Sequence, residues 1–349
     1  MQDVIIDGRP IGPTHKPYII AEISANHNGD LNKALRLIEI AKESGADAIK
    51  LQTYTADTMT IDSDSPDFKV HGGLWDGYTL YELYEEAQTP WEWHKELFAK
   101  AAEIGITIFS TPFDESAVDF LADLDVPAFK IASFELTDTP LVDYIAKQLK
   151  PIILSTGMAN FEEIQTAINT IRKHHNQLIV LHCVSSYPAR ASESNLVTLQ
   201  DISKRFEVVP GLSDHTLGTA TSVASVALGA CLIEKHFIES RKDKGPDSEF
   251  SLEPDELRRL VIDTQMAHES LGQIGYELKA SEVQNLAFRR SIYAVKDILP
   301  GEKLTQSNVR RIRPGYGLEP KYYEKVLGKK AMTKIMKGTP IQFSLLEAN

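Results

Sequence analysis

Two cysteines in 349 residues, Cys183 and Cys231, exclude a disulfide framework and fit a reducing compartment. No apolar run approaches the ~20 residues that a bilayer span needs, the longest lying around 222–233, so no membrane role is expected. The first ten residues hold two Asp and no basic-then-apolar pattern, which makes a cytoplasmic location the expectation. No strand-like segment runs into a GxGxxG turn, which argues against a doubly wound dinucleotide-binding sheet. Positive charge is scarce as well. With 37 Lys and Arg against 49 Asp and Glu, the net charge of −12 argues against a nucleic-acid partner, because phosphate backbones demand clustered cations. Low-complexity sequence is missing too, and 42% hydrophobic with 25% charged residues is an ordinary globular balance.

What is present is unevenly spread. Residues 279–349 hold 14 Lys and Arg against 6 Asp and Glu, whereas the first 278 hold 23 against 43. The basic tail is therefore a separate unit, suited by charge to dock on the acidic one in the same or a second chain. Nucleic-acid or anionic-lipid binding by the tail is the rival reading. Through the first 240 residues, short β-branched runs alternate with stretches of helical spacing. Eight strands are predicted, over 18–24, 48–54, 107–113, 128–134, 151–157, 178–184, 208–215 and 231–237, with helices such as 31–44, 91–104, 161–174 and 254–271 between and after them. Eight strand–helix units predict a (β/α)8 TIM barrel over 1–272. A polar linker follows over 273–290, and a small fold rich in turns over 291–349. The long second interval, 55–90, carries Trp75, Tyr78, Tyr81 and Tyr84 and forms either a rim over the barrel mouth or an extra packed hairpin.

In such a barrel the reaction site forms at the C-terminal strand ends, and polar residues stand there on nearly every strand. Side chains two apart share a face, which groups Lys50 with Gln52, Ser213 with His215, and Glu234 with His236. His215 and His236 end consecutive strands and form a candidate divalent-metal pair; His182 is a weaker third candidate, better suited to packing. Lys50 and Lys130, with the hydroxyls of Thr111, Ser133, Ser155 and Ser213, offer a ring suited to a phosphate and a carboxylate. Structural ion pairs of the lysines with Glu22, Glu135 or Glu234 are the plainer alternative. A Schiff-base lysine of an aldolase is the rival chemistry.

The segments Ala21–Gly29 (AEISANHNG), Lys50–Thr53 (KLQT), Ser110–Phe113 (STPF), Lys130–Ser133 (KIAS), Leu154–Met158 (LSTGM), Gly211–Thr216 (GLSDHT) and Glu234–Phe237 (EKHF) together resemble the sialic acid synthase family. In the tail, Ile312–Gly317 (IRPGYG) looks like the hallmark of that family's antifreeze-like (SAF) domain. Residues 74–77, 89–94 and 245–254 look most like the pseudaminic acid branch. The resemblance implies a transferase that condenses phosphoenolpyruvate with 2,4-diacetamido-2,4,6-trideoxy-L-altrose, releasing phosphate; N-acetylneuraminate or legionaminic acid synthesis from another sugar is the alternative. It further implies that His215 and His236 hold a divalent ion, manganese first, with magnesium or cobalt as alternatives. Lys50, Thr111, Lys130, Ser133, Ser155 and Ser213 would cradle phosphoenolpyruvate. Glu22, Gln52, Tyr187 and Asp247 would contact the sugar, with Glu22 moving a proton. Arg313 would reach the acceptor from the partner chain of a domain-swapped homodimer. One departure stands out: Val184-Ser185-Ser186 replaces the Thr-Asn typical of the neuraminate branch before Tyr187.

Overall fold

The computed structural model describes residues 2–348, which divide after Gly272 into two compact units. In the first, eight parallel strands close into a barrel in chain order: β1 (Tyr18–Glu22), β2 (Ala48–Thr53), β3 (Thr107–Pro112), β4 (Phe129–Ile131), β5 (Ile152–Ser155), β6 (Leu178–Cys183), β7 (Val209–Ser213) and β8 (Leu232–His236). β8 closes on β1 with Leu232 opposite Tyr18 and His236 opposite Glu22. The helices that follow each strand are α1 (Leu31–Glu43), α2 (His94–Ile104), α3 (Glu115–Asp123), α4 (Thr139–Ala146), α5 (Phe161–Arg172), α6 (Thr198–Phe206), α7 (Ala220–Ala227) and α8 (Pro254–Leu271). The barrel foreseen in the strand–helix alternation is thus present. Its strands stop a few residues short of the expected ends, so the polar residues grouped there divide between the last strand positions and the loops beyond.

Strand alternation sorts the residues. Outward-facing Ile19, Ala21, Ile49 and Leu51 pack on α1, α2 and α8, and outward-facing Phe129, Ile131, Ile152 and Leu154 pack on α3 to α6. Inward-facing Ile20, Ala48, Phe109, Ala128, Ile153, Ile179, Val209 and Leu232 fill the lower barrel. The bottom is plugged by an antiparallel hairpin, Val4–Ile6 with Arg9–Ile11, whose Val4, Ile6 and Ile11 join that inner core. Its turn residues Asp7 and Gly8 both take positive φ, the backbone an Asp-Gly hairpin turn demands.

The 55–90 segment holds a short helix (Ala56–Met59), an isolated antiparallel bridge between Lys69 and Thr79, and a second helix (Leu80–Ala87). It reaches the barrel mouth: the Trp75 indole N–H donates to the Pro246 carbonyl at 3.1 Å, and the Trp75 ring lies 5.7 Å from that of Tyr187. That is the rim arrangement. The second unit groups residues 273–290 with the tail and includes a 3-10 helix, Ala280–Phe288. Its paired strands, Ser291–Ala294 and Val309–Ile312, cover a small core of Ile292, Ile298, Val309, Val326, Ile335 and Ile341.

Candidate active site

One layer above the apolar barrel interior, the inward positions change character. Glu22, Lys50, Thr111, Lys130, Ser155, Cys183, Ser213 and Glu234, one from each strand, occupy the same parity as the aliphatic residues beneath them. Two lysines and two glutamates in this layer are almost fully buried. Charges out of water cost several kcal/mol each unless paired, so this layer is expensive for the fold. Lys50 forms an ion pair with Glu22, stands 3.6 Å from Glu234 Oε1 and donates to Thr111 Oγ1 at 3.4 Å. Lys130 donates to Ser155 Oγ at 2.7 Å and to the Ile131 carbonyl at 3.1 Å, with Glu234 Oε1 3.9 Å away. Ser213 Oγ donates to the same Glu234 oxygen at 3.2 Å, while Glu234 Oε2 has no hydrogen-bond partner among the described residues. Ion pairs of the lysines with Glu22 and Glu234 are therefore present, and the lysines and hydroxyls of the expected anion ring stand in the same network.

The electrostatics divide the pairs. Burial raises the Glu22 pKa further than Lys50 lowers it, whereas burial of Glu234 is outweighed by Lys130 and Lys50, so Glu234 stays below the ordinary carboxylate value. Burial works to discharge both lysines. Glu22 and Glu234 more than offset it at Lys50, while Lys130 remains lowered. Glu22 is thus the readier of the two carboxyls to carry a proton, and two like groups with separated affinities are the usual basis for acid and base roles.

Above this layer the two histidines meet. Their ring centroids lie 5.5 Å apart, and each ring is held from behind. His215 Nδ1 is 2.9 Å from the Val184 carbonyl, and His236 Nδ1 is 3.3 Å from Ser24 Oγ and 3.6 Å from Asp247. Ser24 Oγ donates in turn to Asp247. Among the described residues neither Nε2 makes a hydrogen bond, so both remain available with their orientation fixed, the arrangement usual for metal-ligating imidazoles. Burial, then His215 and Lys50, hold His236 well below the ordinary pKa, whereas at His215 burial is outweighed by Cys183 and the Val184 carbonyl, which raise it. Among the described residues no third His, Cys, Asp or Glu completes a cluster around a metal position. The residues fit an ion with two protein ligands and open positions.

Aromatic rings wall this end of the mouth: Tyr187 lies 4.4 Å from His215 and 5.2 Å from Phe250, and Phe250 4.8 Å from His236. Ser133, in the loop after β4, accepts from the Gly157 amide at 3.0 Å. A Cβ on Gly157 would fall 2.0 Å from Ser185 Oγ and 2.8 Å from Ser133 Oγ, so glycine lets those two hydroxyls close on one backbone. Gln52 follows Lys50 on the inward face of β2, opposite Thr111 in the strand register. The barrel residues expected to bind metal or substrate, His182 apart, therefore stand at one mouth. Arg313 is exposed in the second unit. His182 is tied by Nε2 to the Ser194 carbonyl at 2.6 Å, apart from the histidine pair. Ser24, one of the polar residues expected near the strand ends, links His236 to Asp247, and sequence reasoning left out Cys183, whose Sγ lies 3.9 Å from His215 Nδ1. Parity with Ser213 and Glu234 was the available signal for Cys183.

Such a closed parallel barrel, with an ionisable inner layer capped by two oriented histidines, defines a TIM-barrel enzyme. The chain belongs to the NeuB family, whose model matches residues 37–276, and a SAF domain model matches 289–347. The pseudaminic acid synthase of Campylobacter jejuni subsp. jejuni serotype O:2 is 45% identical over 328 residues, 94% of this chain and 96% of that one. The pseudaminic acid synthase of Helicobacter pylori is 42% identical over 333 residues, 95% and 98% of the two chains. A crystal structure of N-acetylneuraminic acid (sialic acid) synthetase from Leptospira borgpetersenii, in complex with citrate, superposes with a TM-score of 0.73 at 33% identity, covering 82% of this chain and 95% of that one. The family and the barrel-plus-SAF architecture expected from the sequence are both found.

Proposed function

We propose that the chain catalyses the pseudaminic acid synthase reaction, condensing phosphoenolpyruvate with 2,4-diacetamido-2,4,6-trideoxy-L-altrose. The observation that carries this reading is the buried layer of two lysines, two glutamates and converging hydroxyls directly beneath the oriented histidines, in a chain whose relatives bear that name. Lys50, Thr111, Lys130, Ser133, Ser155 and Ser213 bind the phosphate and carboxylate, their positive charge concentrated by the low-dielectric barrel. Gln52, Tyr187 and Asp247 orient the acceptor so that its aldehyde carbon faces carbon 3 of the enol phosphate. The new C–C bond takes the enol electron pair, water adds at the cationic carbon 2, and the C–O bond to phosphate breaks with its electrons leaving on phosphate. Glu22, with its raised proton affinity, handles the proton at the new alkoxide or at the attacking water. A divalent metal held by His215 and His236, manganese first, with magnesium or cobalt as alternatives, supplies Lewis acidity toward the aldehyde oxygen.

This reading includes a cytoplasmic homodimer in which Arg313 of one tail meets the acceptor in the other barrel. The opposite charges of the two parts of the chain support it. Light scattering at rising salt tests it: dissociation with loss of activity is expected, and a fully active monomer refutes it. The test of the reaction is phosphate release from phosphoenolpyruvate against the altrose derivative, its legionaminic-pathway isomer and N-acetylmannosamine. The altrose derivative is expected to give the highest kcat/KM; preference for either competitor transfers the chain to another branch of the same chemistry. One observation favours a Schiff-base aldolase, the burial-lowered pKa of Lys130, and borohydride trapping with substrate present decides it.

A further inference from the structure

A second group of side chains at the barrel mouth takes no part in the anion cradle or the histidine pair. Tyr54, Phe113 and Glu135 follow β2, β3 and β4, and Tyr84 comes to them from the helix Leu80–Ala87 of the rim segment. The Tyr54 ring lies 5.1 Å from Phe113 and 5.8 Å from Tyr84, both edge-on. Glu135 stands close enough to Tyr84 for its charge to raise that phenol, and close enough to Lys130 to be stabilised by it. Among the described residues Glu135 Oε2 is buried with no hydrogen-bond partner. Burial drives its pKa up to about 7. An unpaired buried carboxyl oxygen is costly, and a folded protein carries one where a ligand donor completes the bond. On its other side, Tyr54 feels the charges of Asp247 and Glu22, so this group flanks the sugar-contacting residues.

We infer that Glu135 and the wall of Tyr54, Tyr84 and Phe113 form the pocket for the second acetamido group of the acceptor, Glu135 Oε2 accepting its N–H and the rings packing on its methyl. The inference rests on the reaction proposed above and names what selects that acceptor. A hydroxyl in place of the acetamido group still donates one hydrogen bond but leaves the aromatic wall uncovered. The rim segment thereby acquires a role: it carries one side of the selectivity pocket.

The test compares two acceptors that differ only there, 2,4-diacetamido-2,4,6-trideoxy-L-altrose and 2-acetamido-2,6-dideoxy-L-altrose, in the full-length, metal-supplemented protein. Wild type is expected to favour the diacetamido sugar by ~10- to 100-fold in kcat/KM. Tyr84→Ala and Glu135→Leu should each cut that ratio by ~10-fold or more through KM for the sugar, with KM for phosphoenolpyruvate held. Tyr84→Phe and Glu135→Gln, which keep a ring and an acceptor oxygen, should recover most of it. Melting temperatures identify any variant that fails to fold, and the two conservative variants still report. Equal losses on both sugars, or a shift in KM for phosphoenolpyruvate alone, overturn the pocket while leaving the reaction intact. No wild-type discrimination overturns it too; turnover of neither sugar removes the proposed reaction, and the pocket with it.

Discussion

Two buried polar groups in the same barrel follow opposite rules. On the outer side of β2 and β3, Thr53 Oγ1 meets His94 Nε2 at 2.8 Å and Ser110 Oγ at 2.6 Å, while His94 Nδ1 donates to the Pro90 carbonyl at 3.3 Å. Nearby, His27 Nε2 lies 3.1 Å from Thr89 Oγ1, and its Nδ1 accepts from the Gly29 amide at 3.1 Å. Every ring nitrogen of this outer set has a partner. The inner set, on the opposite face of the barrel wall, leaves among the described residues a Glu234 oxygen without a hydrogen-bond partner, two histidine nitrogens open, and four ionisable groups out of water. Saturated polar contacts hold elements together; unsaturated ones wait for a ligand. The outer set fastens the return of the rim segment to the barrel, and in the function proposed above the inner set receives substrate.

The contrast breaks most sharply at Lys130. Lys130→Met removes a buried cation and leaves Glu234 with Lys50 alone, so the melting temperature should fall, but the dominant effect should be on kcat/KM for phosphoenolpyruvate, which should drop ~1000-fold, about 4 kcal/mol of transition-state stabilisation. Coupled enzyme kinetics and thermal melts check it; a lower melting temperature with activity retained would place Lys130 among the structural residues. His94→Ala should do the reverse, costing ~3 kcal/mol of stability and only a few-fold in kcat/KM of the folded protein. Chemical denaturation measures the first, and a large kinetic loss without destabilisation would dissolve the distinction between the two sets.

A smaller effect separates them by pH. Burial lowers His27 and His94 to about 4, so the unfolded chain, with ordinary histidines near 6.5, binds more protons than the folded one. Their contribution to stability is complete above pH ~6.5 and is lost as pH falls toward 4. Denaturation midpoints between pH 7 and 4.5 should drop in wild type and drop less in His27→Gln and His94→Gln; parallel curves would contradict the assignment.

These two sets also show what the sequence makes legible. β-branched runs at regular intervals carried the barrel, because parallel strands buried on both faces require them, and alternation placed Lys50, Ser213 and Glu234 inward without coordinates. Alternation likewise distinguishes Ser110 from Thr111, although neighbours in sequence look equally available. The N-terminal hairpin lies outside the expected elements, although its Asp7-Gly8 turn between alternating apolar residues is a local signal for it. Glu135 stands out in the sequence only as a candidate lysine partner; that one of its buried oxygens has no hydrogen-bond partner among the described residues is visible only in the folded arrangement.

The account stands on the inner layer and its histidine pair acting together, and the most direct measurement is a manganese titration of chelator-stripped protein, followed by electron paramagnetic resonance and by phosphate release. One ion should bind per chain, turnover should return in proportion to it, and His215→Ala and His236→Ala should each abolish both. Full turnover surviving thorough chelation, or manganese binding undiminished in both variants, would contradict it.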